Sequence, residues 1–465
     1  MKKILFVYTD INVRGGAKSY QFGIGMVSAM LKKHGHDCRL HYMFGKFNPL
    51  PLQKEINEYQ PDVIAFSAVS PQYQYVKKTI ESLPETDAII LLGGIHPTLA
   101  PECIEEIPRL NVICIGEGEY PALELVQALE SGNSYDNIKN LWIKKKDNTI
   151  IRNPTRPFVS NLDELPFPDR ELFDYQSIID SDFHVALFMF SRGCPYNCTF
   201  CSNHALRQKQ DGQYVRFRSV PNCLEEIRQV VSRYKVKALY FNDDCFTAKR
   251  KWLEEFCSAY KKEFNLPFDI NARPETLSDE ICAILKDAGC RRVSIGIENG
   301  SEKFRKEVLN RAQTNQQIID GFAACKKAGL RTKSFNIVGF PYETPQIHEE
   351  TVELNAKINP DSVIIGIFEP YPGTKLAETC QTENFIDTSR LGEEFIGRTD
   401  TILNMPQFPR KEILKCFRTF AYKVYRRHSL RKALMLRIYY SPYGEFLLKL
   451  IAPLKNILRR ITMGV

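Results

Sequence analysis

The stretch "SRGCPYNCTFCSNHA", Ser191–Ala205, places Cys194, Cys198 and Cys201 with three and then two residues between them and supplies no fourth cysteine. A structural zinc ion takes four ligands, normally as two close pairs, and the nearest residues able to complete such a set are His204 and Cys223. A ferredoxin-type cluster takes four thiolates as well. Chance is a poor account of the spacing, because Gly193, Pro195 and Asn197 make the segment a turn in which neighbouring thiolates converge. The remaining explanation, favoured over zinc, is a [4Fe-4S] cluster with three irons tied to protein and the fourth left open. An open position on a metal is where substrate chemistry takes place.

The C-x3-C-x2-C spacing, with aromatic Phe200 before the last cysteine, resembles the signature of the radical S-adenosylmethionine (radical SAM) superfamily. That resemblance implies that the open iron takes the amino and carboxylate groups of S-adenosylmethionine. An electron from the reduced cluster then splits the sulfonium to give a 5′-deoxyadenosyl radical. The surroundings agree. Strand-like runs recur at "HVALFMF", "ALYFND", "FDINA", "RVSIGI", "KSFNIVGF" and "SVIIGIFEP", and helical patterns such as "PNCLEEIRQVVSRYK" separate them. Six β-α units predict a partial (β/α)6 TIM-type barrel over 183–385, with its working groups at the strands' carboxyl ends. The cysteines follow the first of these strands.

The resemblance extends to the positions that hold S-adenosylmethionine. "FNDDCF" places Asn242, Asp243 and Asp244 near its amino group; the blander reading is a pair that caps the next helix. Arg273 in "NARPE" is expected to hold the methionine carboxylate through a charge-assisted contact, the alternative being a surface ion pair. Glu298 in "GIENGS" resembles the ribose-contacting carboxylate of the fourth strand. "FNIVGFPYET" resembles the adenine-contacting segment, its turn shaped by Gly339 and Pro341. "EPYPGTKL", Glu369 to Leu376, resembles the ending of the sixth strand.

Upstream, 1–140 alternates five β-rich runs ("KILFVY", "CRLHYM", "DVIAFS", "AIILLG" and "VICIG") with helical patterns, which predicts a parallel, doubly wound, flavodoxin-like (Rossmann-like) sheet. Ligands of such sheets sit beyond the carboxyl ends of the strands. Those ends carry Asp10 to Gly16, Ser67 to Ser70, Gly93-Gly94 and Gly116 to Glu119. These loops resemble the cobalamin-binding domain, whose signature after the first strand is Asp-x-His-x-x-Gly. In "DINVRGG", Asp10 and Gly15 fit, but Asn12 stands where the cobalt-ligating histidine would be. A carboxamide is a poor ligand for that cobalt, so no protein imidazole is expected to coordinate it from below. "SAVSPQ", "GGIHPTLAPE" and "GEGEYPALELV" complete the resemblance, with Ser67, Ser70, Gly93, Gly94, Gly116 and Glu117 as expected cobalamin contacts. The alternative is the same fold with tight glycine turns and no ligand.

Between the domains, a proline- and acid-rich linker is expected over 141–182, and a basic helical extension over 386–465. The formal charge of +8 is uneven: Arg398 to Val465 holds 15 Lys and Arg against 3 Asp and Glu, which leaves the rest of the chain slightly acidic. Any membrane or nucleic-acid argument therefore rests on this tail. "FRTFAYKVYRRHSLRKALMLRIYY" and the amphipathic "GEFLLKLIAPLKNILRRI" either dock on the barrel or lie on an anionic membrane surface; no nucleic-acid motif accompanies the charge. No export signal opens the chain, so its 14 cysteines are not expected to form a disulfide framework and the location is expected to be cytoplasmic, with peripheral contact to the inner membrane face as an option.

The resemblance implies an enzyme that uses a [4Fe-4S] cluster, S-adenosylmethionine and cobalamin, fed by an electron donor such as flavodoxin or ferredoxin. Radical methyl transfer to an unactivated carbon of a small-molecule or lipid substrate is the expected reaction. Oxidative cyclisation or rearrangement is the alternative with the same cofactors, and a non-catalytic cluster-bearing or electron-carrying protein the alternative of another class. Methylthiotransferases of tRNA carry a second cysteine triad in the first domain; here Cys38, Cys103 and Cys114 are widely spaced.

Overall fold

The computed structural model describes residues 1–12, 18–390, 398–441 and 444. They form two compact units: Met1–Val185 with Cys201–Val236 and Tyr371–Thr374, and Ala186–Phe200 with Lys237–Pro370 and the described residues from Lys375 onward.

The first unit is built on strands β1 (Lys3–Ile11), β2 (Asp37–Gly45), β3 (Val63–Ser67), β4 (Ile89–Gly93), β5 (Val112–Cys114), β6 (Leu141–Lys144) and β7 (Ile150–Arg152), in the order β2-β1-β3-β4-β5-β6-β7. The first five pair in parallel, the flavodoxin-like order. β1 is buried from Ile4 to Ile11, as a central strand covered on both faces must be. Strands β6 and β7 were expected to be linker. They add an antiparallel hairpin to the sheet, with Leu141 and Ile143 buried and Asn148 turning the chain at φ 65°. The charged run Lys144–Asp147 leaves these short strands little apolar pattern, which is why the sequence reads as a connector there.

The two-residue strands β9 (Ser191–Arg192), in the second unit, and β10 (Arg216–Phe217), in the first, lie outside the two main sheets; the second main sheet has six strands in the order β15-β14-β13-β12-β11-β8. These are β8 (Val185–Phe188), β11 (Ala238–Phe241), β12 (Phe268–Ala272), β13 (Cys290–Glu298), β14 (Arg331–Val338) and β15 (Ser362–Ile367). Sequential neighbours, parallel from β11 to β15, make the partial barrel. Helices Arg410–Tyr425 and Leu430–Tyr439 do not stand apart as an extension. Phe417, Phe420, Val424 and Leu436 share one core with Val338, Ile365 and Ile367 of the last two strands, so this part of the tail docks on the barrel. The amphipathic segment 445–461 lies outside the described residues.

This core also encloses His348, which is 1% exposed, packs on Phe420 and has no hydrogen-bond partner at either ring nitrogen. Burial, with the Lys423 cation adding to it, holds its pKa down to about 3, and Glu343 stands 3.9 Å away. The folded state thus binds this proton more weakly than the unfolded chain, in which histidine titrates near 6.5. The stability contributed by a neutral His348 is complete above pH 6.5 and is lost as pH falls from there toward 3. His348→Leu is expected to flatten that loss by about 2 kcal/mol between pH 7 and pH 5, read from urea unfolding at the two pH values.

Candidate active site

The cysteine loop leaves β8 and is fixed at its start by Asp243. That carboxylate accepts the backbone N–H of Phe190 at 3.0 Å and of Ser191 at 2.6 Å, and the Ser191 hydroxyl. Burial pushes the Asp243 carboxyl up to about 6 against these donors. Asp243 therefore shapes the loop from beneath, whereas Asp244 is exposed and Asn242 partly so. The Asn242 N–H donates to the Phe188 carbonyl at 2.7 Å, continuing the strand pairing past β11.

Further along, the loop is stitched to the segment 308–313. Thr199 donates from its hydroxyl to the Val308 carbonyl at 2.7 Å and from its N–H to the Leu309 carbonyl at 3.2 Å; the Asn310 side chain donates to the Asn197 carbonyl at 2.8 Å. Phe200 packs on Phe340, ring centroids 5.4 Å apart. Cys198 is buried and Cys194 and Cys201 are half-buried. Arg273 Nη1 donates to Cys198 Sγ at 3.4 Å and Arg311 Nη1 at 3.5 Å.

Arg273 is a deeply engaged group, not a surface ion pair. Its Nε donates to Glu275 at 2.6 Å and its Nη2 to Gln313 Oε1 at 2.9 Å, while Tyr196 lies under the guanidinium at 3.6 Å. Glu298 ends β13 at φ 66°, where the register with β14 shifts between Gly296 and Glu298. A bulge with a non-glycine residue at positive φ re-aims a side chain and is found at working sites. Burial raises the Glu298 carboxyl, while the Arg311, Arg398 and Arg273 guanidinium groups pull it back down. In the expected adenine segment, the N–H groups of Gly339 and Phe340 both donate to buried Glu343, which also accepts from Asn299; burial pushes that carboxyl up to about 8. Pro341 is buried beside them.

Arg311 and Gln313 were missed by sequence reasoning. The available signal was polar residues in "VLNRAQT" next to apolar Leu309: Arg311 and Gln313 are 4% and 3% exposed, and a buried arginine needs an anion. Of the two candidate zinc ligands, Cys223 is fully buried and His204 Nδ1 lies 2.6 Å from the Cys201 carbonyl oxygen. Among the described residues, no three His, Cys, Asp or Glu side chains lie close enough to hold a single metal ion.

In the first unit, the carboxyl ends of the strands carry the other expected positions, except that Gly15 lies outside the described residues. Asp10 accepts the Tyr42 hydroxyl at 2.6 Å, and burial raises its carboxyl. Asn12 donates to the Tyr75 hydroxyl at 2.6 Å. Ser70 meets His96 Nδ1 at 3.1 Å, and His96 stacks on Tyr73 at 3.8 Å. Ser67 ends β3 with Gly93 beside it in register. Gly94, at φ 101°, runs so close to the loop after β3 that a Cβ there would sit 2.7 Å from the Ala68 carbonyl oxygen.

Gly116 and Glu117, expected as cobalamin contacts, also meet protein side chains. A Cβ at Gly116 would fall 2.1 Å from Gln210 Oε1, and Gln210 also accepts the Glu117 N–H. Glu117 takes a two-pronged ion pair from Arg216, at 2.9 and 3.1 Å, and the Val159 N–H at 2.8 Å. These residues anchor the chain that follows Cys201. Glu117→Ala is expected to cost about 3 kcal/mol or more, because it strands a buried guanidinium. Thermal unfolding read with a limited-proteolysis map of 201–218 checks it.

Residues 188–354 match the model of the Radical SAM superfamily and residues 8–126 that of the B12 binding domain. An uncharacterized methyltransferase of Pyrococcus horikoshii is 30% identical over 450 residues, which span 95% of each chain. The chain belongs to the cobalamin-binding radical SAM family. It is therefore an enzyme whose cofactors are a [4Fe-4S] cluster, S-adenosylmethionine and cobalamin. The anaerobic magnesium-protoporphyrin IX monomethyl ester cyclase of Rubrivivax gelatinosus is 28% identical over 336 residues, 70% of this chain and 59% of the cyclase. Among solved structures, the radical S-adenosylmethionine methyltransferase TsrM of Kitasatospora setae shares the fold at a TM-score of 0.65 and 16% identity, over 82% of this chain and 76% of that one.

The side chains present fit the groups that this radical SAM family carries. A thiolate at Cys198 would meet two guanidinium donors, the setting that favours the ligating form of a cysteine. A four-iron cluster also takes each thiolate on a different iron, so the cysteines need no single-ion geometry. Buried Arg311 Nε, Gln313 Nε2 and Glu275 Oε2 have no protein partner and remain for a bound polar molecule.

Proposed function

We propose that this enzyme transfers a methyl group to an unactivated carbon of a small-molecule or lipid substrate. The observation that carries the reading is the end-to-end likeness to a methyltransferase, with both cofactor domains in one chain. When bound, the cluster and S-adenosylmethionine supply a radical that abstracts hydrogen from such a carbon, and cobalamin supplies the methyl group.

The chain's own residues bind and orient. Cys194, Cys198 and Cys201 hold the cluster, Asp243 sets the start of their loop, and Arg273 and Arg311 hold Cys198 in place. Glu298 is the acceptor for ribose hydroxyls, Asn242 and Asp244 receive the amino group of S-adenosylmethionine, and the Gly339–Pro341 turn takes adenine. Asp10, Asn12, Ser67, Ser70, Gly93 and Gly94 line the cobalamin side, and no protein imidazole ligates cobalt. Flavodoxin or ferredoxin is the electron donor. Among the described residues no helix is long and apolar enough to cross a membrane. What supports peripheral contact with an anionic membrane is the exposed row Leu430, Leu434 and Ile438 beside Arg431 and Arg437, followed by the basic amphipathic segment 445–461.

Product mass tests the reaction. Reconstituted enzyme given S-adenosylmethionine with a deuterated methyl group and a low-molecular-weight fraction of its host's extract should yield a product one labelled methyl heavier. The cyclase likeness keeps oxidative cyclisation as the second reading. A product that loses hydrogens and gains no label would establish that reading instead.

A further inference from the structure

We infer that Arg311, with Arg273 beside it, sets the reduction potential of the cluster through the sulfur of Cys198. The inference rests on the cluster assignment above. Two guanidinium N–H groups, at 3.4 and 3.5 Å, reach this one sulfur. The two arginines come from separate places in the chain. Arg273 follows β12 and is held at Nε by Glu275 and at Nη2 by Gln313, which leaves Nη1 for sulfur. Arg311 is anchored by its Nη2, which donates to the Gly296 carbonyl at 2.5 Å. Both are more than nine-tenths buried, so neither charge is screened by bulk water.

Glu275 and Glu298 offset the formal charges of the pair, but the hydrogen bonds act on the sulfur directly. One-electron reduction places an additional negative charge on the cluster and breaks no bond. Donors aimed at a ligand sulfur stabilise the reduced form more than the oxidised one and so raise the potential. A cluster so placed is easier for a low-potential protein donor to reduce. In the segment 308–313, the Val308 carbonyl and the Asn310 side chain fix the cysteine loop and the Arg311 side chain sets its electronics.

The test is a redox titration of the full chain, reconstituted with iron and sulfide, without S-adenosylmethionine, using dithionite and mediators and reading the reduced-cluster resonance. Arg311→Leu is expected to shift the midpoint to more negative potential by about 59 mV or more, a tenfold change in a one-electron equilibrium. Arg311→Lys, which keeps the charge and loses the fork, should move it by less in the same direction. Arg250→Leu removes an exposed arginine paired with Glu254 and Glu280 and should leave it unchanged. Equal iron and sulfide content with an unmoved midpoint in both Arg311 variants overturns the inference and leaves the cluster standing. If Arg311→Leu does not fold, Arg311→Lys alone decides. Failure of the parent chain to assemble a cluster overturns the reading beneath it.

Discussion

Replacing Cys198 with alanine is expected to abolish the four-iron cluster, and with it all cleavage of S-adenosylmethionine. The chain offers one short loop with three thiols, and each of three irons needs one of them. The substitution also removes the sulfur that two buried guanidinium groups share, leaving Arg273 Nη1 and Arg311 Nη1 without that acceptor. A further loss of about 1–3 kcal/mol in the stability of the apoprotein follows from those donors. Cys194→Ala and Cys201→Ala should lose the cluster as completely. Cys257→Ala removes a fully buried thiol on the helix Arg250–Glu263 and should keep normal iron content. Iron and sulfide analysis beside the reduced-cluster spectrum reads all four.

The second large effect is at Glu226, which is not itself an expected cofactor position. This carboxylate is 1% exposed and pairs with two arginines: Arg170 at 2.7 Å, and Arg218 through a short contact. Arg170 is itself packed against the rings of Tyr20 and Tyr175. Glu226→Ala leaves two buried cations facing each other without an anion, and should cost about 3–5 kcal/mol. Glu226→Gln keeps the shape and two acceptor lone pairs and should cost less. Chemical unfolding of the apoprotein compares them. An Ala variant within about 1 kcal/mol of the parent would mean that water reaches the pair.

The two domain types were legible because both rest on local pattern. Apolar, β-rich runs alternating with helical patterns marked the five parallel strands and the six barrel strands, and the cysteine spacing marked the loop after the first of these. What the sequence could not show is where polar side chains turn. Asp243 sits in a motif expected to face S-adenosylmethionine, yet its carboxylate accepts from its neighbours' backbone. Glu117 and Gly116 follow a strand end, but their partners Arg216 and Gln210 lie about a hundred residues on, beyond the reach of any local rule. Arg311 was hidden for the same reason, since its acceptor is set by the barrel's closure of distant segments. The hairpin β6–β7 was lost to a charged run, and the docked helix Arg410–Tyr425 follows the reading favoured from the sequence, docking on the barrel over a membrane surface.

Methyl transfer through cobalamin requires a cluster and cobalamin held by one chain. The full-length protein, reconstituted anaerobically with iron, sulfide and cobalamin, desalted and then reduced, should show two electron paramagnetic resonance signals. One is a reduced-cluster signal that changes when S-adenosylmethionine is added, and the other a cobalt(II) signal without splitting from a nitrogen ligand. A cluster signal with no retained cobalt would contradict methyl transfer through cobalamin and leave the flavodoxin-like domain with another ligand to find.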